Sequence, residues 1–183
     1  MKNILFIAAF IMLTGHLSAQ KFMTKTGHIK FYSETPMETI EADNTQVNSA
    51  YDHSNGVFVF KVLMKSFEFE KALMQEHFNE NYIESDTYPI ATFKGKIINN
   101  NDIDLSKNGQ VEVQVKGTLK MHGISKEIET NGIMDIQSGM IHATAKFDVK
   151  PSDFNIEIPG AVVKNIAEAM EVTIDVNLKE LKK

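Results

Sequence analysis

The sequence predicts an all-β fold with two short helices, in which an antiparallel sheet of about eight strands closes into a barrel. Three observations carry this prediction. Apolar and polar residues alternate over long stretches, for example in "VEVQVKGTLKM" from Val111 to Met121, as in strands with one buried face. Short polar turns join such stretches, which is typical of antiparallel sheets. The helices do not alternate regularly with the strands, so a parallel sheet is not indicated.

The first third of the chain is predicted to form two or three strands and then a helix. The strands lie in "GHIKFYSE" and "TQVNSAYDHSNGVFVFKVLMKSF", with a turn at Asp52–Gly56. The helix is predicted from Glu70 to Ile83, because Met74, Phe78 and Tyr82 recur at every fourth position. This apolar stripe needs another apolar surface to cover it.

A proline separates this helix from the next strand. Tyr88-Pro89 ends the helical region, because proline cannot donate a backbone hydrogen bond. The strand that follows, Ile90–Ile97, alternates again. The polar stretch Asn99–Gly109 after it is predicted to be a solvated hairpin loop.

The second half of the chain is predicted to consist of hairpins. Turns are expected at His122–Ser125 and Gln137–Gly139. Around them run three alternating stretches, "SKEIETNGIMDI", "MIHATAKFDV" and "VTIDVNLKEL". A short second helix is predicted at Val162–Met170, after Pro159-Gly160.

The alternation also predicts which side chains point inward. Leu119, Phe147 and Ile174 each lie in the middle of an alternating stretch and are predicted to face the interior. A shift of one residue would bury a row of charges, so the polar neighbours should face solvent. These neighbours are Lys120, Lys146 and Asp175.

The amino-terminal segment has the pattern of a secretory signal peptide. Lys2 precedes an apolar run from Ile4 to Leu13, and Ser18-Ala19 precede Gln20. Cleavage is expected after Ala19, which leaves residues 20–183 as one periplasmic or secreted domain without a transmembrane segment. An uncleaved anchor or a buried helix is the alternative.

The composition excludes several classes of partner. Without the single Lys of residues 1–19, the chain has 18 Lys and no Arg against 24 Asp and Glu. Such a chain is a poor candidate for binding nucleic acid or anionic lipid surfaces, because cationic side chains supply most of that attraction. There is no Cys, so the core must hold the fold without disulfides.

No motif for catalysis, cofactor binding or metal binding is present. The sequence lacks His-Glu-x-x-His, Gly-x-Ser-x-Gly, Gly-x-Gly-x-x-Gly and a phosphate loop. The histidines after residue 19 do not pair at metal-ligand spacing; they are His28, His53, His77, His122 and His142. We therefore expect neither an enzyme nor a metal or cofactor site.

Three stretches carry a family resemblance. "EKALMQEHFNENYIESDTYPIATFKGKI" contains a helix, a Tyr-Pro step and a strand with Phe, and "VKGTLKMHGISKEIE" contains a Gly-x-Leu-x-x-x-Gly-x-Ser-Lys hairpin. "DFNIEIP" with "VTIDVNL" is the third. On these residues the chain resembles the YceI-like family of exported, lipocalin-like lipid-binding proteins. It departs from the family's Arg-x-Asp-Phe-Gly pattern, because Pro151 and Asn155 replace the Arg and the Gly.

The resemblance implies an extended, eight-stranded, lipocalin-like barrel with one helix over its mouth. In several family members the barrel holds a long isoprenoid or another amphiphilic chain. The residues from the sequence that would line such a cavity are Phe60, Met74, Phe78, Tyr82, Phe93, Val115, Leu119, Phe147, Phe154 and Ile174. The residues alone favour a solid core filled by these side chains, and only the resemblance points to a hollow interior.

Three classes of function remain open on the sequence. The first, which the resemblance favours, is a binding protein that sequesters or carries a lipid-like molecule. The second is a structural or stress-response barrel that acts through a protein partner. The third is an enzyme on a lipid substrate, which would need a perturbed ionisable group inside the barrel.

Overall fold

The computed structural model describes residues 20–181, and the predicted leader, residues 1–19, lies outside the described residues. Nine strands are present in this range: β1 Lys21–Glu34, β2 Thr39–Asp52, β3 Val57–Leu63, β4 Glu68–Phe69, β5 Ile90–Ile97, β6 Gly109–Met121, β7 Ile124–Gln137, β8 Met140–Val149 and β9 Met170–Glu180. One α-helix, α1 Ala72–His77, continues into a π-helical turn, Phe78–Tyr82; we call residues 72–82 the lid helix. Short 3₁₀ turns occupy Met64–Ser66, Asn100–Asp102, Pro151–Phe154 and Val163–Asn165.

Eight long strands close into an antiparallel barrel, as predicted. Their order around the barrel is β1-β9-β8-β7-β6-β5-β3-β2, and pairing of β2 with β1 completes the circle. The two-residue strand β4 adds to β2. Closure gives every long strand two neighbours, so none of the eight is an edge strand of an open sheet. In the described residues no helix is both long and apolar enough to span a bilayer.

Two tight turns set the register of the second half of the barrel. His122 and Gly123 connect β6 to β7, and Ser138 and Gly139 connect β7 to β8. All four residues have positive φ, between 49° and 80°, as type I′ turns require. These turns bring β6 and β7 into pairing along their full lengths, from Gly109↔Ile136 to Met121↔Ile124.

A pair of glycines lets two strands approach closely in the barrel wall. Gly95 of β5 is paired with Gly117 of β6, and the ring of Phe93 lies over them. A Cβ atom on Gly117 would stand 2.3 Å from the Cα of Gly95 and 2.8 Å from Cζ of Phe93. The backbone therefore cannot make room for a side chain at this place without moving.

We expect Gly117→Ala to destabilise the barrel by about 1–3 kcal/mol, the usual range for overpacking. Thermal or urea unfolding measures this loss. Gly160→Ala is the matched control, because nothing lies within 4 Å of a Cβ there, and its stability should stay near that of the parent. Equal losses at both positions would contradict the close-approach interpretation.

One end of the barrel is packed solid. Near the start of β1 and the end of β9 lies a set of apolar side chains that are at most 4 % exposed: Phe22, Val47, Tyr51, Ile97, Ile103, Ile136, Ile141, Val176 and Leu178. We call this set the packed end. The close packing of these side chains leaves no room for a ligand.

The loop after β5 closes the packed end, contrary to the prediction of a solvated loop. Ile103 is buried, and the hydroxyl of Tyr51 donates to Oδ1 of Asn100 at 2.6 Å. Nδ2 of Asn100 donates in turn to the carbonyl of His53 at 2.8 Å. The polar sequence of this loop hides its role because its asparagines bond to protein groups.

Both helix predictions need correction. The first helix was predicted from Glu70 to Ile83. Its α-helical part is shorter, Ala72–His77, and a π-helical turn, Phe78–Tyr82, follows it. The prediction of a second helix at Val162–Met170 was wrong. The helical structure in this segment is a single 3₁₀ turn, Val163–Asn165. Met170 instead pairs with Val149 of β8, and this strand pairing outcompetes a helix too short to be stable alone.

Candidate ligand-binding cavity

The half of the barrel under the lid helix is hollow. It contains an apolar cavity of about 300 Å³ whose wall includes residues from all eight long strands and the lid helix. This volume lies at the lower end of the range for small-molecule sites. The floor is formed by Phe58, Val113 and Met134, which adjoin the packed end. The interior of one barrel thus divides into a solid half and a hollow half.

The cavity is long in the direction of the strands. On β6 its lining residues extend from Val113 to Met121, which corresponds to about 27 Å of strand. On β3 they extend from Phe58 to Val62, and Met64 follows. An elongated apolar space of this kind fits a chain-like ligand better than a compact one.

Aromatic rings close the mouth of the cavity. The ring of Phe78 on the lid helix lies 5.1 Å from that of Phe69, 5.7 Å from that of Phe31 and 5.8 Å from that of Phe67. Such distances are those of interacting aromatic pairs. The lid helix is therefore anchored to β1 and to the segment around β4 through one side chain.

The structure places most of the predicted ligand-contacting side chains on the cavity wall. The nine that line it are Phe60, Met74, Phe78, Tyr82, Phe93, Val115, Leu119, Phe147 and Ile174. Phe154 is not among the lining residues; it is buried in the 3₁₀ turn Pro151–Phe154. That any of these residues contacts a ligand remains a prediction.

Phe154 leaves the wall because the backbone turns at its neighbour. Asn155 has the left-handed φ of 54°, at the position where many family members carry Gly. Asn is one of the few other residues that adopt this conformation readily. The carbonyl of Phe154 is hydrogen-bonded to Nδ1 of His122 at 2.8 Å, which ties this turn to the β6–β7 hairpin.

Several wall residues were not predicted from the sequence. Ile29 and Phe31 belong to the alternation in "GHIKFYSE", so this pattern could have identified them. Phe67 follows a 3₁₀ turn that breaks the period, and Ile166 lies in the irregular segment before β9. No local signal marks these two, because their direction depends on the turns that precede them.

A small polar cluster lies at the mouth. Nδ2 of Asn165 and Nζ of Lys71 each donate to the carboxylate of Glu38 at 3.1 Å. The bond from Asn165 and then that from Lys71 lower the pKa of Glu38, so its carboxylate is ionised at neutral pH. Glu38, Asn165 and His77 line the cavity, and the other polar groups on its wall are the hydroxyls of Tyr82 and of three threonines.

The described residues do not bring a catalytic constellation into the cavity. Four histidines contact polar partners that do not line the cavity. In three cases the partner is an acid: His28 contacts Asp43 at 2.6 Å, His142 contacts Asp175 at 2.9 Å, and His122 contacts Glu84 at 3.3 Å. Within residues 20–181 no three His, Asp or Glu side chains are grouped so that they could hold a metal ion. What the wall provides is apolar surface with a polar rim.

Comparison with known proteins agrees with this geometry. The family model described as the YceI-like domain matches residues 13–178, nearly the whole chain. The chain belongs to the YceI-like family. A search of curated proteins finds no match for this YceI-like chain.

Solved structures share the fold of this YceI-like protein at low sequence identity. A polyisoprenoid-binding domain from Saccharophagus degradans, implicated in plant cell wall breakdown, has a TM-score of 0.77 at 14% identity, over 89% of this chain and 99% of that one. BcnA of Burkholderia cenocepacia has a TM-score of 0.64 at 14% identity, over 83% and 94%. The YceI protein of Campylobacter jejuni has a TM-score of 0.56 at 16% identity, over 75% and 81%.

Proposed function

We propose that this YceI-like protein is an exported carrier that holds a long apolar chain, such as an isoprenoid, in the hollow half of its barrel. One observation carries the proposal: the packed end reaches near-complete burial, whereas the other half of the same barrel encloses an apolar cavity of about 300 Å³. Side chains fill the packed end, whereas the other half leaves an apolar space that a chain-like ligand would fill. The polyisoprenoid-binding domain of Saccharophagus degradans supports the same ligand class.

The affinity would come from burial of the chain. Each methylene group that leaves water for an apolar site gains about 0.8 kcal/mol, so a chain of several isoprene units needs few polar contacts. Orientation would come from the mouth, where the polar cluster of Glu38, Lys71 and Asn165 stands at the end of the apolar wall. The ligand would therefore lie with its polar end at the lid helix.

Native mass spectrometry and solvent extraction of the purified protein test this proposal directly. We expect a bound species that dissociates from the protein and is soluble in organic solvent. Protein recovered without any lipid, which also fails to take up added prenols, would overturn the carrier function and favour a barrel that acts through a protein partner.

The proposed location is the periplasm or the outside of the cell. It rests on the pattern of Lys2, the apolar run to Leu13 and the small residues before Gln20. The intact mass of protein from the exported fraction should correspond to a chain that starts at Gln20. A retained Met1 on protein in the cytoplasm would contradict export.

The polar cluster predicts a preference for ligands with a neutral head group. A phosphate at the mouth would lie against the ionised Glu38, and the chain has no Arg to bind it in a bidentate manner. Lys71, the cation of the cluster, is already bonded to Glu38. We therefore expect tighter binding of geranylgeraniol than of geranylgeranyl phosphate.

Glu38→Gln should reduce this preference by about tenfold, because it removes the repelling charge and releases Lys71. Competition binding of the two prenyl compounds measures the ratio. Glu41→Gln is the control, since Glu41 is exposed on the outer face of β2, where it pairs with Lys30. An unchanged ratio in Glu38→Gln would place the head group away from this cluster.

A further inference from the structure

The barrel wall has a break between β7 and β8. These strands pair from Gln137↔Met140 to Gly132↔Ala145, and the pairing stops there. Beyond that point β7 continues to Ile124 alongside β6, and β8 continues to Val149 alongside β9. By this register, residues 128–131 of β7 lie opposite residues 146–149 of β8 without a described ladder pair, over about 13 Å of β8, and residues 124–127 extend beyond the end of β8. We call this break the seam.

Side-chain contacts replace the missing ladder. The hydroxyl of Thr130 donates to the carbonyl of Lys146 at 3.4 Å, near the upper limit for a hydrogen bond. Higher up, the 3₁₀ turn Pro151–Phe154 covers the seam, where Nζ of Lys126 stands 3.8 Å from the carboxylate of Asp153. Both side chains of that ion pair are about half exposed, so the pair contributes little to holding the strands together.

Residues that line the cavity lie where the seam begins. Ile133 and Thr144 are paired with each other across β7 and β8, and alternate with Gly132, Met134 and Ala145, which face the interior. Ile133 and Thr144 should therefore point outward, yet they also line the cavity. Ile133 is 42% exposed. The cavity thus borders the wall at the point where the pairing of β7 with β8 ends.

We propose that the seam is the portal through which the apolar ligand enters and leaves the barrel. The inference rests on the proposed carrier function. Opening the seam separates a long hydrogen bond and an exposed ion pair. Movement of the covering turn would also break the hydrogen bond between His122 and the carbonyl of Phe154, but no sheet ladder is broken. The alternative route, under the lid helix, requires the ring of Phe78 to leave three aromatic neighbours. The seam is therefore the weaker part of the enclosure.

A cross-link across the seam tests the proposal. Because the chain has no Cys, only the introduced thiols can react with the linker. Glu129→Cys with Asp148→Cys puts thiols on exposed positions that the register of β7 and β8 brings opposite each other beyond the last pair. The matched control is Asp135→Cys with His142→Cys, a directly paired position on the outside of the same two strands. Both double variants are joined with a short bismaleimide, and their unlinked forms control for the substitutions.

Stopped-flow fluorescence with geranylgeranyl anthranilate measures the exchange. We expect the cross-linked seam to slow association and dissociation by about tenfold or more, with the same Kd, because a portal alters the barrier and not the bound state. The cross-linked control should exchange at the parent rate. Exchange through the linked seam at the control's rate would overturn the portal and indicate the lid route. A parent protein that carries no lipid and takes up no probe would overturn the carrier function, which is a distinguishable result.

Discussion

Val115→Trp is expected to weaken ligand binding by more than about tenfold while the barrel remains folded. Val115 lies on β6 in the cavity wall, so a larger side chain at this position would extend into the cavity. A ring that displaces only two methylene groups of the ligand would remove about 1.6 kcal/mol of binding free energy, or more than about tenfold in affinity. The amount of lipid recovered from purified protein and the melting temperature together check this result.

The same substitution in the packed end should behave in the opposite way. Val176 is fully buried among side chains that leave no space, so Val176→Trp should overpack the core and destabilise the fold by about 1–3 kcal/mol or more. Any Val176→Trp protein that folds should keep its ligand. If Val115→Trp lowers the melting temperature as much as Val176→Trp does, the half of the barrel under the lid helix is also a packed core, and the carrier proposal fails.

Leu178→Ala is expected to cost about 2–5 kcal/mol of unfolding free energy, the range for a truncated core leucine. Leu178 is 0% exposed, and its neighbours in the packed end are held by closure of the barrel, so the new cavity cannot collapse. Urea unfolding monitored by circular dichroism gives the difference in stability. Ligand content should change little, because Leu178 is remote from the hollow half.

Leu119→Ala is the matched control for this leucine. Leu119 is half-buried and lines the cavity, so its truncation enlarges a space that already exists. We expect a clearly smaller loss of stability together with weaker ligand binding. Equal destabilisation by the two substitutions would contradict the division of the interior into a packed end and a hollow half.

The hairpins of the second half were the most predictable part of the fold. The stretches around Leu119, Phe147 and Ile174 alternate cleanly, and these residues line the cavity while Lys120 and Lys146 are exposed. The turn residues are Gly or polar, as positive φ requires. Period and turn chemistry are local properties, so they can be identified along the sequence without knowledge of the rest of the chain.

The connecting segments were predicted less well, because their conformations depend on distant contacts. Val162–Met170 has an apolar spacing that suits a helix, but β8 pairs with Met170 and the remaining residues form a turn and irregular chain. Phe154 has the same parity as Ile156 and Ile158, yet the left-handed Asn155 turns its side chain away from the cavity wall. In both places tertiary pairing or a single backbone dihedral outweighs the local pattern.

The sequence by itself determined the strands, their inward faces, the tight turns and the closed antiparallel barrel, because each follows from periodicity and from backbone preferences at single positions. Only the tertiary structure decided that one end is solid and the other hollow, and that β7 and β8 separate at Gly132 and Ala145. In the sequence, the inward apolar residues of the packed end cannot be distinguished from those of the hollow half. Whether they fill the interior depends on the summed volume of side chains from eight strands and on barrel diameter, and no local stretch of sequence contains that sum.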